Sequence, residues 1–139
     1  MEQDLALAKE YLLRHGCTCV LRKGEHLESS HQRGVRPLLT LLESGSDYRG
    51  FSAADKVVGR ATAFLYRLLG VTQVHALVLS RPALTVLQAG NIRVSCDTLV
   101  EGIRNRDNTG PCPMEHATMD IHDPAQALQA IREALEKLR

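Results

Sequence analysis

The stretch that most restricts the fold is Val74-His75-Ala76-Leu77-Val78-Leu79, a nearly continuous apolar run of strand length. A strand with one wet face alternates polar and apolar residues, whereas a run apolar at both parities belongs to a strand covered on both sides. Gly70 precedes it and Arg81-Pro82 follows it, so helices are expected at either end. A doubly covered strand between helices points to an α/β protein in layers.

The remaining elements are read around that strand. Leu5, Ala8, Leu12 and Leu13 mark a first helix over 2–14, stopped by Gly16. Cys17 to Arg22 alternates, with Cys17, Cys19 and Leu21 on one face, and His26 to Ser30 is its hairpin partner across Lys23-Gly24-Glu25. Pro37 opens a short leucine-rich helix that ends near Gly45. Residues 52–69 read as one long helix. Ser52 and Asp55 resemble its capping box, Ala54, Val57, Val58, Ala61, Phe64, Leu65 and Leu68 form its stripe, and Gly59 lies in close packing inside it. Beyond Leu79 come a short helix 83–89, a strand 92–96, a helix 98–104, a polar loop, a short strand 117–121 and a closing helix announced by Asp123-Pro124. This order predicts one domain over 1–139, a three-layer α/β/α sandwich on a mixed sheet.

Composition narrows what such a domain can do. The 139 residues suit one core, and with no Trp and only 4% aromatics that core is aliphatic. The balance of 17 basic against 16 acidic residues leaves a net charge of +1 and no footprint for nucleic acid or an anionic membrane. No apolar run reaches the roughly 20 residues of a membrane span, and the start Met1-Glu2-Gln3-Asp4 is acidic where a signal peptide is basic. Cysteines 17, 19, 96 and 112 show no C-x-x-C spacing. A cytoplasmic location with reduced thiols is therefore expected. The expected partner is a small molecule, and self-association is left open.

Chemistry concentrates in Ile103-Arg104-Asn105-Arg106-Asp107-Asn108-Thr109-Gly110-Pro111-Cys112-Pro113-Met114-Glu115. Neither period fits this segment, and a polar loop on a rigid scaffold is where binding and catalytic groups collect. Cys112 reads as a nucleophile or ligand, given nearby cations to favour its thiolate, or else as a packing thiol. Glu115 reads as a general acid/base or a metal ligand beside Cys112, or else as a solvated carboxylate or the cap of a following turn. Asn105 and Arg106 offer a hydrogen-bonding fork for an anion or a base edge, or plain loop polarity. Lys56 can reach a phosphate or carboxylate, or snorkel to water. Asp55 is a binder or a helix cap. Ser80 stands where open α/β sheets bind ligands, or caps the next helix. The loop around Arg33, Gly34 and Arg36 is an anion-binding loop or ordinary surface, and His75 is a hydrogen-bonded core or edge histidine.

Taken together, Asp55-Lys56-Val57-Val58-Gly59-Arg60-Ala61 and Cys112-Pro113-Met114-Glu115, with Ile103, Asn105 and Arg106 between them, resemble a small bacterial and archaeal family of unknown function whose fold is similar to cytidine deaminase. The resemblance covers nearly the whole chain and implies that fold, but no activity. Zinc deaminases carry His-x-Glu or Cys-x-Glu at one helix start and Pro-Cys-x-x-Cys at the next. Pro111 to Glu115 imitates the second motif with Glu115 in place of a cysteine. It lies one strand too late, however, and no His-x-Glu or Cys-x-Glu accompanies Asp55 and Lys56. Zinc and deamination are accordingly not carried over, and neither a metal nor another cofactor is expected. Two functions follow as expectations. One is an enzyme acting on a nucleoside- or nucleotide-like metabolite through Cys112 and Glu115, with Lys56, Asp55, Ser80, Asn105 and Arg106 as binders. The other is a non-catalytic ligand-binding or regulatory module on the same fold.

Overall fold

A computed structural model describes residues 2–104, 110 and 112–138. In chain order the elements are α1 (Glu2–His15), β1 (Cys19–Lys23), β2 (His26–Ser30), α2 (Arg36–Glu43), β3 (Ser52–Val58), α3 (Arg60–Leu69), β4 (Gln73–Ser80), α4 (Arg81–Ala89), β5 (Arg93–Val100), α5 (Pro113–Thr118) and α6 (Pro124–Lys137). The five strands form one sheet in the order β2-β1-β3-β4-β5. The β1–β2 hairpin is antiparallel and β1 also runs antiparallel to β3. The pairs β3–β4 and β4–β5 are parallel. The mixed sheet and its opening hairpin are as the sequence predicts. No helix of the described residues is long and apolar enough to cross a membrane.

Adjacent residues of β3 divide the interior. Ala54 packs with Ala8, Leu12 and Val20 beneath α1, while Ala53 joins the larger core with Phe64, Val74, Ala76 and Ile131. Side chains alternate across a strand, so these two clusters occupy opposite faces and the sheet is the middle of three layers. The larger layer is organised by α3, which buries eight of its ten residues and packs against α2, α4, α5 and α6.

Four expectations are corrected. The single helix over 52–69 is a strand, a one-residue break at Gly59, and then α3. Ser52 therefore caps nothing; it is buried in β3, where its Oγ accepts a hydrogen bond from Gln73 Nε2 at 2.7 Å. The helix expected over 98–104 does not form, its first three residues being the end of β5, and the strand expected over 117–121 begins as the last turn of α5. Cys17 and Cys19 do not share a face: Cys17 precedes β1 and packs beneath α1, whereas Cys19 faces the larger core.

Candidate functional site

Two helices begin side by side at the carboxyl ends of β3 and β4, the edge of a parallel sheet where ligands of open α/β folds bind. At α4, Ser80 is fully buried and its Oγ accepts from Ala83 N–H at 3.1 Å, an N-cap followed by Pro82 in the first turn. At α3 the cap is Gly59, which has no side chain to offer. Glu115 of α5, 55 residues away in sequence, supplies the missing acceptor by taking a hydrogen bond from Arg60 N–H, and it accepts a second from the Ile103 backbone.

This contact accounts for the glycine. Gly59 lies in extended backbone at φ −99°, open to any residue, but a Cβ there would run into the Glu115 carboxylate and sit 3.1 Å from Ile103 Cγ1. Gly59 and Glu115, the last residues of Asp55–Gly59 and Cys112–Glu115, thus meet in one contact. Arg60 fastens the same junction. Its buried guanidinium donates to the carbonyl of Thr118 at 2.8 Å and to that of Ile121, and it lies 5.2 Å over the Phe64 ring. Burial holds the Glu115 carboxyl above its ordinary range, opposed by the Arg60 N–H and charge.

Over this junction lies a cleft of about 730 Å³. Arg60, Arg81 and Arg104 line it together with Glu101 and Glu115, and Pro82, Ile103 and Met119 supply apolar wall. Arg81 Nε donates to Glu101 Oε1 at 2.7 Å across the mouth, where both side chains are mostly exposed. The positive ends of α3 and α4 add to the guanidinium charges.

The sequence-derived candidates are divided between places. Glu115 lines the cleft. Cys112 N-caps α5 and packs partly against the larger core, its N–H donating to Ile103 O at 2.8 Å and its carbonyl accepting from His116 N–H at 3.0 Å. It is not among the residues lining the cleft. Ser80 is the α4 cap. Asn105 and Arg106 lie outside the described residues.

Asp55 and Lys56 belong to β3, not to a helix start, which corrects the capping role expected of Asp55. Asp55 is buried and accepts from Tyr66 Oη–H at 2.6 Å and Val57 N–H at 3.3 Å, while Cys19 Sγ lies 3.3 Å from the same phenol. Desolvation pushes the Asp55 carboxyl up to about 7 against these hydrogen bonds, and it pushes the Tyr66 phenol and Cys19 thiol well above their usual ranges. His75 is hydrogen-bonded through both nitrogens, to Ser95 Oγ at 2.7 Å and Asp97 Oδ1 at 3.1 Å, as a satisfied histidine should be.

Sequence reasoning assigns no site role to Arg60, Arg81, Glu101 or Tyr66, and it reads Cys19 as packing, where the structure places it in the larger core. A signal existed for two of them. Arg60 directly follows the conspicuous Gly59, and Arg81 directly follows the strand-ending Ser80, so both stand at helix starts where an arginine opposes the macrodipole and needs another reason to be there.

Residues 7–135 match the model of a domain of unknown function, DUF1893. A crystal structure of a DUF1893 family protein from Thermotoga maritima superposes with a TM-score of 0.88 at 22% identity, covering 96% of this chain and 90% of that one. Looser likenesses are to the apo dCMP deaminase of cyanophage S-TIM5 (TM-score 0.47, 12% identity, 68% of this chain and 94% of that one) and to a diaminohydroxyphosphoribosylaminopyrimidine deaminase/5-amino-6-(5-phosphoribosylamino)uracil reductase of Thermotoga maritima (0.43, 14%, 68% and 35%). No curated protein matches the chain.

Proposed function

The chain belongs to the DUF1893 family, a domain of unknown function, and we propose that its cleft binds a small anionic, nucleotide-like metabolite without transforming it. The observation that carries this reading is the convergence of Arg60, Arg81 and Arg104 with the N-termini of α3 and α4 on one 730 Å³ space. Its size suits a nucleotide-sized ligand. A phosphate belongs against Arg81 and Arg104, whose guanidinium forks recognise tetrahedral oxyanions. A planar base belongs against Ile103 and Met119, the latter a half-exposed methionine on a polar surface.

Binding is favoured over turnover because of how the two expected catalytic groups are employed. The Glu115 carboxyl is occupied by the Arg60 and Ile103 N–H groups, so a proton shuttled through it would loosen the α3 cap at each cycle. Cys112 packs into the core margin. A second reading, with Glu115 as a general acid, draws on its buried carboxyl being held above the ordinary range at the cleft wall. A reducing cytoplasmic setting is part of the proposal and rests on four free cysteines, two of them buried.

Thermal shift against nucleosides, nucleoside mono-, di- and triphosphates and inorganic phosphate tests the reading. Phosphorylated compounds should stabilise the fold by about 2.7 kcal/mol at a hundredfold excess over Kd, and the matching nucleosides by far less. Equal, flat responses across both groups would remove the proposal. Chemical conversion of a stabilising compound, lost in Glu115→Gln, would replace it with the enzyme reading.

A further inference from the structure

The cleft does not use the Asp55-Lys56 pair, and the structure places that pair at a second hollow. Under the 31–37 segment lies a cavity of about 320 Å³, lined by Arg33, Gly34 and Pro37 on the segment, Thr18 and Cys19 on the opposite wall, and Asp55, Lys56 and Val57 at the carboxyl end of β3. One hydrogen bond ties the segment to the Thr18 wall, and two backbone bonds hold that wall between β2 and β3. Thr18 Oγ1 donates to Gln32 O at 2.5 Å, Thr18 N–H to Ser30 O at 2.8 Å, and Lys56 N–H to Thr18 O at 2.9 Å. The floor is Asp55, 7% exposed, and Cys19, 3% exposed, joined through the Tyr66 hydroxyl. At the mouth stand Arg33 and Lys56, both exposed and neither in an ion pair among the described residues. Val57 is 45% exposed there, in a strand whose other residues, Lys56 apart, are buried. Two cations outside the ion pairs, an apolar side chain open to water and a preformed hollow are the ingredients of an anion subsite.

We propose that this cavity is a second ligand site, which takes a tetrahedral oxyanion such as the phosphate of a small metabolite between Arg33 and Lys56, with Val57 against the remainder of the molecule. The site is independent of the cleft. Its floor makes occupancy sensitive to protonation. A dianion beside Asp55 favours the neutral acid, so binding takes up a proton and weakens once Asp55 ionises. The charged or titratable groups around Asp55 are Cys19 on β1, Tyr66 on α3, Lys56 on β3 and Arg33 on the 31–37 segment, and β4 faces it with Ala76. His31 also lies on that segment, so only a change at Asp55 assigns the effect.

The test is a sulfate titration of the whole chain, followed through backbone amide resonances, because sulfate stays a dianion across neutral pH. Saturable shifts at Gly34, Lys56 and Val57 are expected. They should be lost in the double variant Arg33→Ala/Lys56→Ala, which touches only exposed side chains, and retained in Arg81→Ala. Affinity should fall at least tenfold between pH 6 and pH 9 in the parent and stay level in Asp55→Asn. Absent shifts, shifts confined to Ile103 and Glu115, or shifts that survive the double variant would overturn the site. An unchanged pH dependence in a folded Asp55→Asn would overturn the coupling.

Discussion

Gly59→Ala is a substitution whose sign separates the tertiary cap from ordinary backbone reasoning. The backbone at Gly59 is extended, so alanine fits it, and reduced unfolded-state entropy should stabilise the protein by ~0.4–1 kcal/mol if nothing were nearby. The new methyl, however, meets the Glu115 carboxylate and stands 3.1 Å from Ile103 Cγ1. Displacing that carboxylate from the Arg60 and Ile103 N–H groups forfeits a charge-assisted bond of about 1.5–3 kcal/mol. Pressing on Ile103 instead costs about 1–3 kcal/mol. The net expectation is a loss of about 1–3 kcal/mol, read from urea unfolding as a lower midpoint at constant slope. Glu115→Ala should cost a similar amount. In that background the carboxylate is gone, so adding Gly59→Ala should be nearly neutral, leaving the cycle non-additive by more than ~1 kcal/mol. A stabilising Gly59→Ala, or two losses that simply add, would refute the cap.

Other perturbations follow from the same geometry. Because burial raises Asp55 from 3.8 to about 7, its contribution is whole below pH 3.8 and is lost as pH rises through about 7. Stability should therefore fall by at most ~1.4 kcal/mol per pH unit across that window, and unfolding midpoints of Asp55→Asn should be flatter with pH than those of the parent. Arg60→Ala strands the Thr118 and Ile121 carbonyls and should cost roughly 2–4 kcal/mol, with Arg60→Lys recovering only part, as thermal melts would show. Cys112→Ser should cost about 1 kcal/mol by placing a hydroxyl at the core margin and leave ligand affinity unchanged, since Cys112 does not line the cleft. A loss of affinity in calorimetry would restore Cys112 to the site.

The sequence made the layered fold legible through β4, the opening hairpin and the Asp123-Pro124 helix start, where local pattern and tertiary structure agree. It misled at β3 for a physical reason. A central strand covered on both faces has no alternation, and Ala54, Val57, Val58 and Ala61 happen to continue the helical spacing of α3. Gly59 then reads as a helix interior when it is the helix cap. Glu115 was recognised as important, but its role was not, because its partner Arg60 N–H is 55 residues distant and a backbone donor leaves no mark in a sequence. Arg81 and Glu101 pair for a similar reason: only the parallel β4–β5 register brings the residues after those strands together.

The central claim is that Arg81 and Arg104 give the cleft its affinity for an anionic ligand, and calorimetric titration of a stabilising nucleoside phosphate into the parent, Arg81→Ala and Arg104→Ala tests it most directly. Removing the exposed Arg81–Glu101 pair should change stability by less than about 1 kcal/mol, so any change in affinity belongs to the site. The account predicts at least tenfold weaker binding in each variant; undiminished affinity in both would contradict it.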